Sequence, residues 1–451
     1  MIRYYLLAVS LLLSVLCDAA TFSGTLPVMY VNTTNGAAIT SKDTYVDATF
    51  YIDAKNSGYS SLGSATSTVA MKIRGRGNSS WTDFDKKPYR FKLTVGTKIL
   101  NMSKSKNFCL LAYADDEHAF LRNALGFKVS ECMGLAYTPD RRAVELVLNG
   151  EYVGLYFLTE TVRVDKDRVA ITKQDDNATD ASIITGGWLL EMDNADDPAQ
   201  VKITESNGNT MRFTYKDPEE LSTQQNAYLL NQLNNMNNAI YAADKSSTTW
   251  ENIINMDTLA RFYIVQEIMD NTEAFHGSTY LYKQRGDNMQ WIFGPVWDFA
   301  NSYRRSEQQF LYQNSPYVQA WISEIVKYPR FQAKVRELWA DFYSNQYPTL
   351  NAYIDSFVSS VSSAIASDYQ RWPNYGTANS TTAKNEFKKL FEARISWLNS
   401  QWDPAGVEDM IADEAESVVE YYNLQGVRVL NPENGVYIQV KGNKASKVLI
   451  K

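Results

Sequence analysis

Residues 261–303, RFYIVQEIMDNTEAFHGSTYLYKQRGDNMQWIFGPVWDFANSY, decide how the rest of the chain is read. The pattern predicts a helix, an acidic turn, a strand, a hairpin turn and a second strand that delivers Trp297-Asp298-Phe299 into a cleft. Two acidic groups flank the strand pair, Asp270/Glu273 before it and Asp298 after it. Packing needs no carboxylates at strand ends, so chemistry is expected here.

On the N-terminal side the periodicity is two. In residues 67–95, STVAMKIRGRGNSSWTDFDKKPYRFKLTV, Val69, Met71 and Ile73 alternate with polar residues, and Tyr89, Phe91, Leu93 and Val95 do the same. Two strands follow from that alternation. Their link, Arg74-Gly75-Arg76-Gly77-Asn78-Ser79-Ser80, has glycines that let backbone approach a ligand and guanidiniums that match phosphate oxygens. Lys86, Lys87, Arg90 and Lys92 add positive charge on the return strand. The same link also reads as a surface hairpin with solvated arginines.

Residues 107–113 predict a buried strand, and Asp115-Asp116-Glu117 a helix running to about Glu131 with acids in its first turn. Residues 143–149 and 152–158 predict a hairpin around Asn149-Gly150, the preferred tight turn. Gly186–Asp193 predicts a strand ending in acids. From about Pro218 the period becomes 3.6, predicting helices over 220–243, 257–270, 317–327, 331–346, 349–370 and 382–401. The switch predicts a β-rich lobe followed by a helical lobe, with a ligand cleft between them. Residues 418–451 read as a small independent β-sandwich, joined through an acidic linker over 403–417.

A hydrophobic content of 45% and 29 tyrosines describe a folded chain, and a net charge of -7 argues against nucleic-acid binding. With two histidines, His118 and His276, a multi-histidine metal centre is excluded, so a metal would be held by oxygen. Residues 6–16, LLAVSLLLSVL, are too short to span a bilayer and are expected to be the apolar core of a signal peptide covering residues 1–20. After cleavage two cysteines remain, Cys109 and Cys132, as one bridge or two free thiols.

At GRGNSSW, KKPYRFKL, Leu121-Arg122-Asn123, NGEYVGLYFLTE, GGWLLEMD and GPVWDF the chain resembles the CotH family of spore-coat-type, secreted, atypical protein kinases. The resemblance runs through residues 65–310 and implies an α+β, bilobal kinase-like fold over 65–402, with 21–64 as a β-rich extension. The C-terminal YYNLQGVRV and PENGVYI resemble the sorting domain of the bacterial type IX secretion pathway, which implies export to the surface or medium by that machinery.

Carried over by motif, the resemblance implies ATP with Mg²⁺ or Mn²⁺ as cofactor and a surface or secreted protein as substrate. Asp298 matches the metal-binding Asp, and Glu273 in Asn271-Thr272-Glu273 takes the place of a catalytic Asp. Ser278 stands where several members have an Asn that ligates metal, and Ala300 where a second acid or Asn is common. His276 orients the substrate hydroxyl or caps a turn. Arg74, Gly75, Arg76, Gly77, Lys87 and Arg90 are the expected phosphate cradle, with Glu131, Glu160 and Glu191 competing to pair the lysine. The departures at 273, 278 and 300 make a catalytically weak surface binding or assembly protein the alternative to a phosphotransferase.

Overall fold

The computed structural model describes residues 24–286, 288–305, 308–313, 320–403, 420–423, 428–429, 432–441 and 444–450. The expected signal peptide and nearly all of the acidic linker lie outside the described residues.

Seven strands close into a barrel in the order β1-β2-β3-β4-β5-β7-β6: β1 (Val28–Thr33), β2 (Val46–Asp53), β3 (Val69–Gly75), β4 (Tyr89–Thr97), β5 (Ser105–Leu111), β6 (Arg141–Leu148) and β7 (Glu151–Glu160). All neighbours are antiparallel except β1 and β6, whose parallel pairing closes the ring. Alternation turns Met29, Phe50, Ile73, Phe91, Phe108, Leu146 and Tyr156 inward to a core of their own. The β-rich lobe is therefore a closed barrel. The segment read as an extension before residue 65 supplies two of its staves, β1 and β2.

The second body is built on a five-stranded sheet, β12-β11-β8-β10-β9, from β8 (Trp188–Met192), β9 (Gln200–Thr204), β10 (Thr210–Asp217), β11 (Thr279–Lys283) and β12 (Trp291–Phe293). With it come α3 (Thr223–Ile240) and α4 (Met256–Ile268), which pack on β9 and β12, and α5 (Ala320–Ile325), α6 (Pro329–Asn345), α7 (Tyr347–Arg371) and α8 (Ser380–Trp402), of which α7 also packs on barrel strand β7. Two earlier helices belong to the barrel's connections: α1 (Ser79–Thr82) in the β3–β4 link and α2 (Leu121–Cys132) after β5. The helix starts follow from capping. Ser222 and Gln225 form a reciprocal box on α3, Asn255 and Asn379 accept from the third backbone N–H of α4 and α8, and prolines open α6 and α7.

Three expectations are corrected. The Asp115–Glu117 acids do not open a helical turn; α2 starts six residues later, because Asp116 folds the chain by accepting from the backbone N–H groups of His118 and Arg122. β12 ends at Phe293, so Trp297-Asp298-Phe299 is carried by the irregular segment beyond it. Residues 420–450 form, among the described residues, one four-stranded antiparallel sheet instead of a sandwich: β13 (Glu420–Tyr422), β14 (Arg428–Val429), β15 (Gly435–Lys441) and β16 (Lys444–Ile450). Cys109 and Cys132 are free thiols. Among the described residues no helix is long and apolar enough to cross a membrane.

Candidate functional site

The turn after α4 and the segment after β12 are laced together, and the lacing sets the geometry of both acids. Asn271 donates its side-chain amide to the carbonyl of Asp298 at 3.0 Å, and its backbone bridges to Ser302. Tyr303 donates its hydroxyl to the carbonyl of Ile268 at 2.6 Å, and Thr272 donates to the carbonyl of Asn301 at 3.3 Å. Asp298 sits in the left-handed region (φ 58°), where its Oδ1 accepts the backbone N–H of Ala300 at 3.0 Å. Phe275 (φ 67°) and Ser278 (φ 48°) are held there too. Such conformations cost on the order of 1–3 kcal/mol each and persist only where the surroundings over-determine them.

α2 supplies much of that determination. Asn123 accepts the backbone N–H of Phe299 at 2.9 Å. The fully buried Arg122 donates to the carbonyls of Ala300 and Asp115 and pairs with Asp116 and Glu117. Gly126 completes the seat, since a Cβ there would overlap the Phe299 ring. Leu121-Arg122-Asn123 is thus a clamp on the Trp297-Asp298-Phe299 segment.

These contacts bring Glu273 beside Asp298. Burial, then the charge of Asp298, push the Glu273 carboxyl up to about 7; the fields of Glu191 and Asp193 act in the same direction. Asn301 opposes the shift by donating to Glu273 Oε2 at 2.6 Å. A carboxylate crowded by like charges is the setting that a divalent cation relieves, and Glu273, Asp298 and Asn301 offer the oxygen donors that magnesium or manganese prefers. Among the described residues no group of three or more His, Cys, Asp or Glu side chains converges to hold a metal.

Across from Asp298 the barrel contributes Arg76, Ser80 and Lys86, with Ala112–Asp115 between them, around a cavity of about 50 Å³. Arg76 lies over the Trp297 ring at 5.8 Å. Lys86 is fully buried, and its ammonium is 2.8 Å from Asp368 Oδ1 on α7. Burial pulls the Lys86 pKa down and Asp368 opposes it. None of the glutamates expected to pair the lysine does so. Glu131 binds Arg141, Glu160 binds Arg168 and Glu191 binds Lys216.

The remaining expected residues are placed as follows. Lys87 faces away, donating to the carbonyl of Trp81 at 2.6 Å with its ammonium over the Trp81 ring. Arg74 lies over the Tyr45 ring and opposite Arg90 across the β3–β4 ladder, and neither lines the cleft. Gly75 makes room for the Trp81 ring, and Gly77 (φ 88°) for the Ser80 hydroxyl. His276 shares the turn of Glu273, where burial lowers its pKa, but neither it nor Ser278 lines the cleft. Lys86 is expected from sequence only as one of four cations on the return strand, and Asp368, the Asn301 contact and the clamp role of Arg122 and Asn123 are not expected. The adjacent Lys86-Lys87 pair and the LRN motif carried the available signal.

The site is thus a cleft with cations on a barrel wall and the Asp298 carboxylate on a facing segment. The CotH kinase protein family model matches residues 73–398, well over half the chain, and the chain belongs to that family. Among curated proteins none matches the chain.

Proposed function

We propose that this chain is an exported phosphotransferase that moves a phosphoryl group from ATP to a hydroxyl of a surface or secreted protein. The observation that carries the reading is a cleft that sets Asp298 against the cations Lys86 and Arg76, with Glu273, poised near neutrality, on the turn laced to the Asp298 segment behind it. Phosphoryl transfer needs in-line positioning and charge neutralisation more than covalent help. Asp298, Glu273 and Asn301 would hold Mg²⁺ or Mn²⁺, which would neutralise charge on the phosphates. Arg76 and Lys86 would orient phosphate oxygens. Glu273 would take the proton of the acceptor hydroxyl as its oxygen bonds to phosphorus and the bond to the ADP leaving group breaks.

Export is part of the proposal. It is supported by the apolar run over residues 6–16 and by a C-terminal sheet for the type IX machinery to recognise. A second reading, a catalytically weak surface binding or assembly protein, is favoured by the cavity itself. About 50 Å³ is well short of the roughly 300 Å³ at which ligand pockets begin, so a nucleotide requires the barrel and the Asp298 segment to part.

Thermal unfolding with and without ATP and Mg²⁺ or Mn²⁺ tests the first step, since saturation at about 100 times Kd adds roughly 2.7 kcal/mol. No shift with either metal sinks nucleotide binding. Labelled-phosphate incorporation by wild type, Glu273→Gln and Asp298→Asn then separates the readings. Incorporation by wild type alone supports the enzyme, and binding without incorporation supports the assembly protein.

A further inference from the structure

A groove of about 920 Å³, far larger than the cleft, lies between the β4–β5 loop and the 163–168 loop. β4 links cleft and groove, and the six residues from Pro88 at the cleft to Thr94 at the groove, at about 3.3 Å each, put roughly 20 Å between them. In a chain of net charge -7 this groove is lined by five cations, Lys98, Lys104, Lys106, Arg163 and Lys166, against two acids, Asp165 and Asp167. Asp167 is taken by Lys166 at 2.8 Å, and Asp165 by Arg168 at 3.0 Å. Lys98, Lys104 and Lys106 are exposed and make no ion pair among the described residues.

Two further features give the groove a shape. Its walls are fixed by Arg168, a fully buried guanidinium that donates to the carbonyls of Ser103 and Lys104 and pairs with Glu160 at 2.5 Å. The two loops are therefore stapled in place before any partner arrives. Its floor is a bulge in β4, which pairs with β3 up to Leu93 and with β5 up to Lys92, then again at Thr97, whose hydroxyl donates to the Val95 carbonyl at 2.9 Å. Thr94–Gly96 have no partner residue in either ladder, and Val95 presents its side chain at 67% exposure.

We infer that this groove docks an extended acidic segment of a partner protein, its carboxylates meeting Lys98, Lys104 and Lys106 and its backbone running beside Thr94–Gly96. Strand addition supplies main-chain hydrogen bonds, and the lysines select acidic side chains over others. An apolar side chain of the segment covers Val95. Nucleic acid is the poorer fit, because no aromatic ring lines the groove for bases to stack on, and two carboxylates stand in its wall.

The test uses the full chain and a fluorescein-labelled peptide of alternating Glu and Val, read by anisotropy. Saturable binding that weakens with added salt is expected, as exposed charges are screened beyond about 8 Å at physiological ionic strength. Lys98→Glu/Lys104→Glu/Lys106→Glu loses about tenfold or more in affinity. All three side chains are exposed, so the triple variant keeps the wild-type melting point. A peptide of the same sequence N-methylated at alternate residues also binds more weakly, and Lys389→Glu, an exposed charge reversal on α8 away from the groove, binds the parent peptide as wild type does. The proposal is overturned if the triple variant binds as tightly as wild type or Lys389→Glu weakens binding as much as the triple variant does. It is also overturned if a single-stranded oligonucleotide or a phosphatidylserine vesicle takes the groove in preference to the peptide. Every readout is binding, so failure of phosphotransfer at the cleft leaves the result intact.

Discussion

Lys86 and Asp368 meet 2.8 Å apart where neither side chain reaches water to any extent, joining the β3–β4 link of the barrel to α7. The same Asp368 oxygen accepts the backbone N–H of Leu155 at 2.8 Å, and Gly154 provides the room, since a Cβ there would collide with it. One carboxylate thereby fixes the cleft lysine, a barrel strand and a helix of the second body. Removing one member of a buried pair strands the other charge, at a cost of about 3–5 kcal/mol. Asp368→Leu should fall in that range by denaturant unfolding, and adding Lys86→Met should recover much of the loss. Equal destabilisation of the single and double variants would show that the pair does not act as a unit.

Gly126→Ala should act at a distance on Asp298. The added methyl overlaps the Phe299 ring, and overpacking of this kind costs about 1–3 kcal/mol. Because Asn123 and Arg122 on the same helix hold Phe299 and Ala300, relief of the overlap shifts the Asp298 segment with it. Metal-dependent nucleotide stabilisation should therefore fall more than in Ala124→Gly, which opens space in the same helix without pressing on Phe299. Equal effects of the two substitutions would count against the clamp.

How much of this was legible depended on whether the signal was local. The helices after Pro218 could be read because most bury one stripe, as α3, α6, α7 and α8 do, and carry local start signals, caps at Ser222, Asn255 and Asn379 and prolines at the starts of α6 and α7. The hairpin at Asn149-Gly150 was equally local, with both residues at positive φ. α2 was misplaced because it is buried on nearly every face and so lacks a stripe, while the acids before it serve a loop. Barrel closure was invisible because it rests on β1 pairing with β6 across more than a hundred residues. At the site, Glu273 and Asp298 stood out as carboxylates where packing wants none. Lys86 did not stand out from Lys87, since the choice is made by Asp368 almost three hundred residues on.

The network behind the acidic turn offers a third test. Arg394 on α8 is buried against Glu267 of α4 at 2.6 Å, and it also donates to the carbonyls of Glu267 and Gln309. Burial pushes Glu267 up to about 7, and Arg394 is the strongest influence against that shift. Arg394→Met should cost about 3–5 kcal/mol at pH 8, where Glu267 would otherwise ionise unpaired. The loss should shrink at pH 5, where the lone carboxyl takes up a proton. Denaturant melts at the two pH values check this, and a pH-independent loss would mean that packing, not charge, is what Arg394 supplies.

Glu273 gives the sharpest prediction because its sign is fixed by the direction of its shift. Its carboxyl titrates near 7 in the folded chain and near 4.3 when unfolded, so between those values the folded state holds a proton that the unfolded state has released. Its contribution to stability is favourable below about pH 4, falls as pH rises, and is fully lost above about pH 7. Glu273→Gln removes the titration and keeps an oxygen that can accept from Asn301. The variant should match wild type at pH 4 and exceed it by about 1–2 kcal/mol at pH 8, a figure reduced for the partial exposure of the side chain. Mg²⁺ or Mn²⁺ should narrow the gap by stabilising wild type at pH 8, because a cation between Glu273 and Asp298 removes the repulsion that raises the pKa. Asn301→Ala should move the wild-type curve to higher pH, since it deletes the hydrogen bond that opposes the shift. A Glu273→Gln variant no more stable than wild type at pH 8 would mean that Glu273 and Asp298 do not share one field, and the metal site built on them would fall with it.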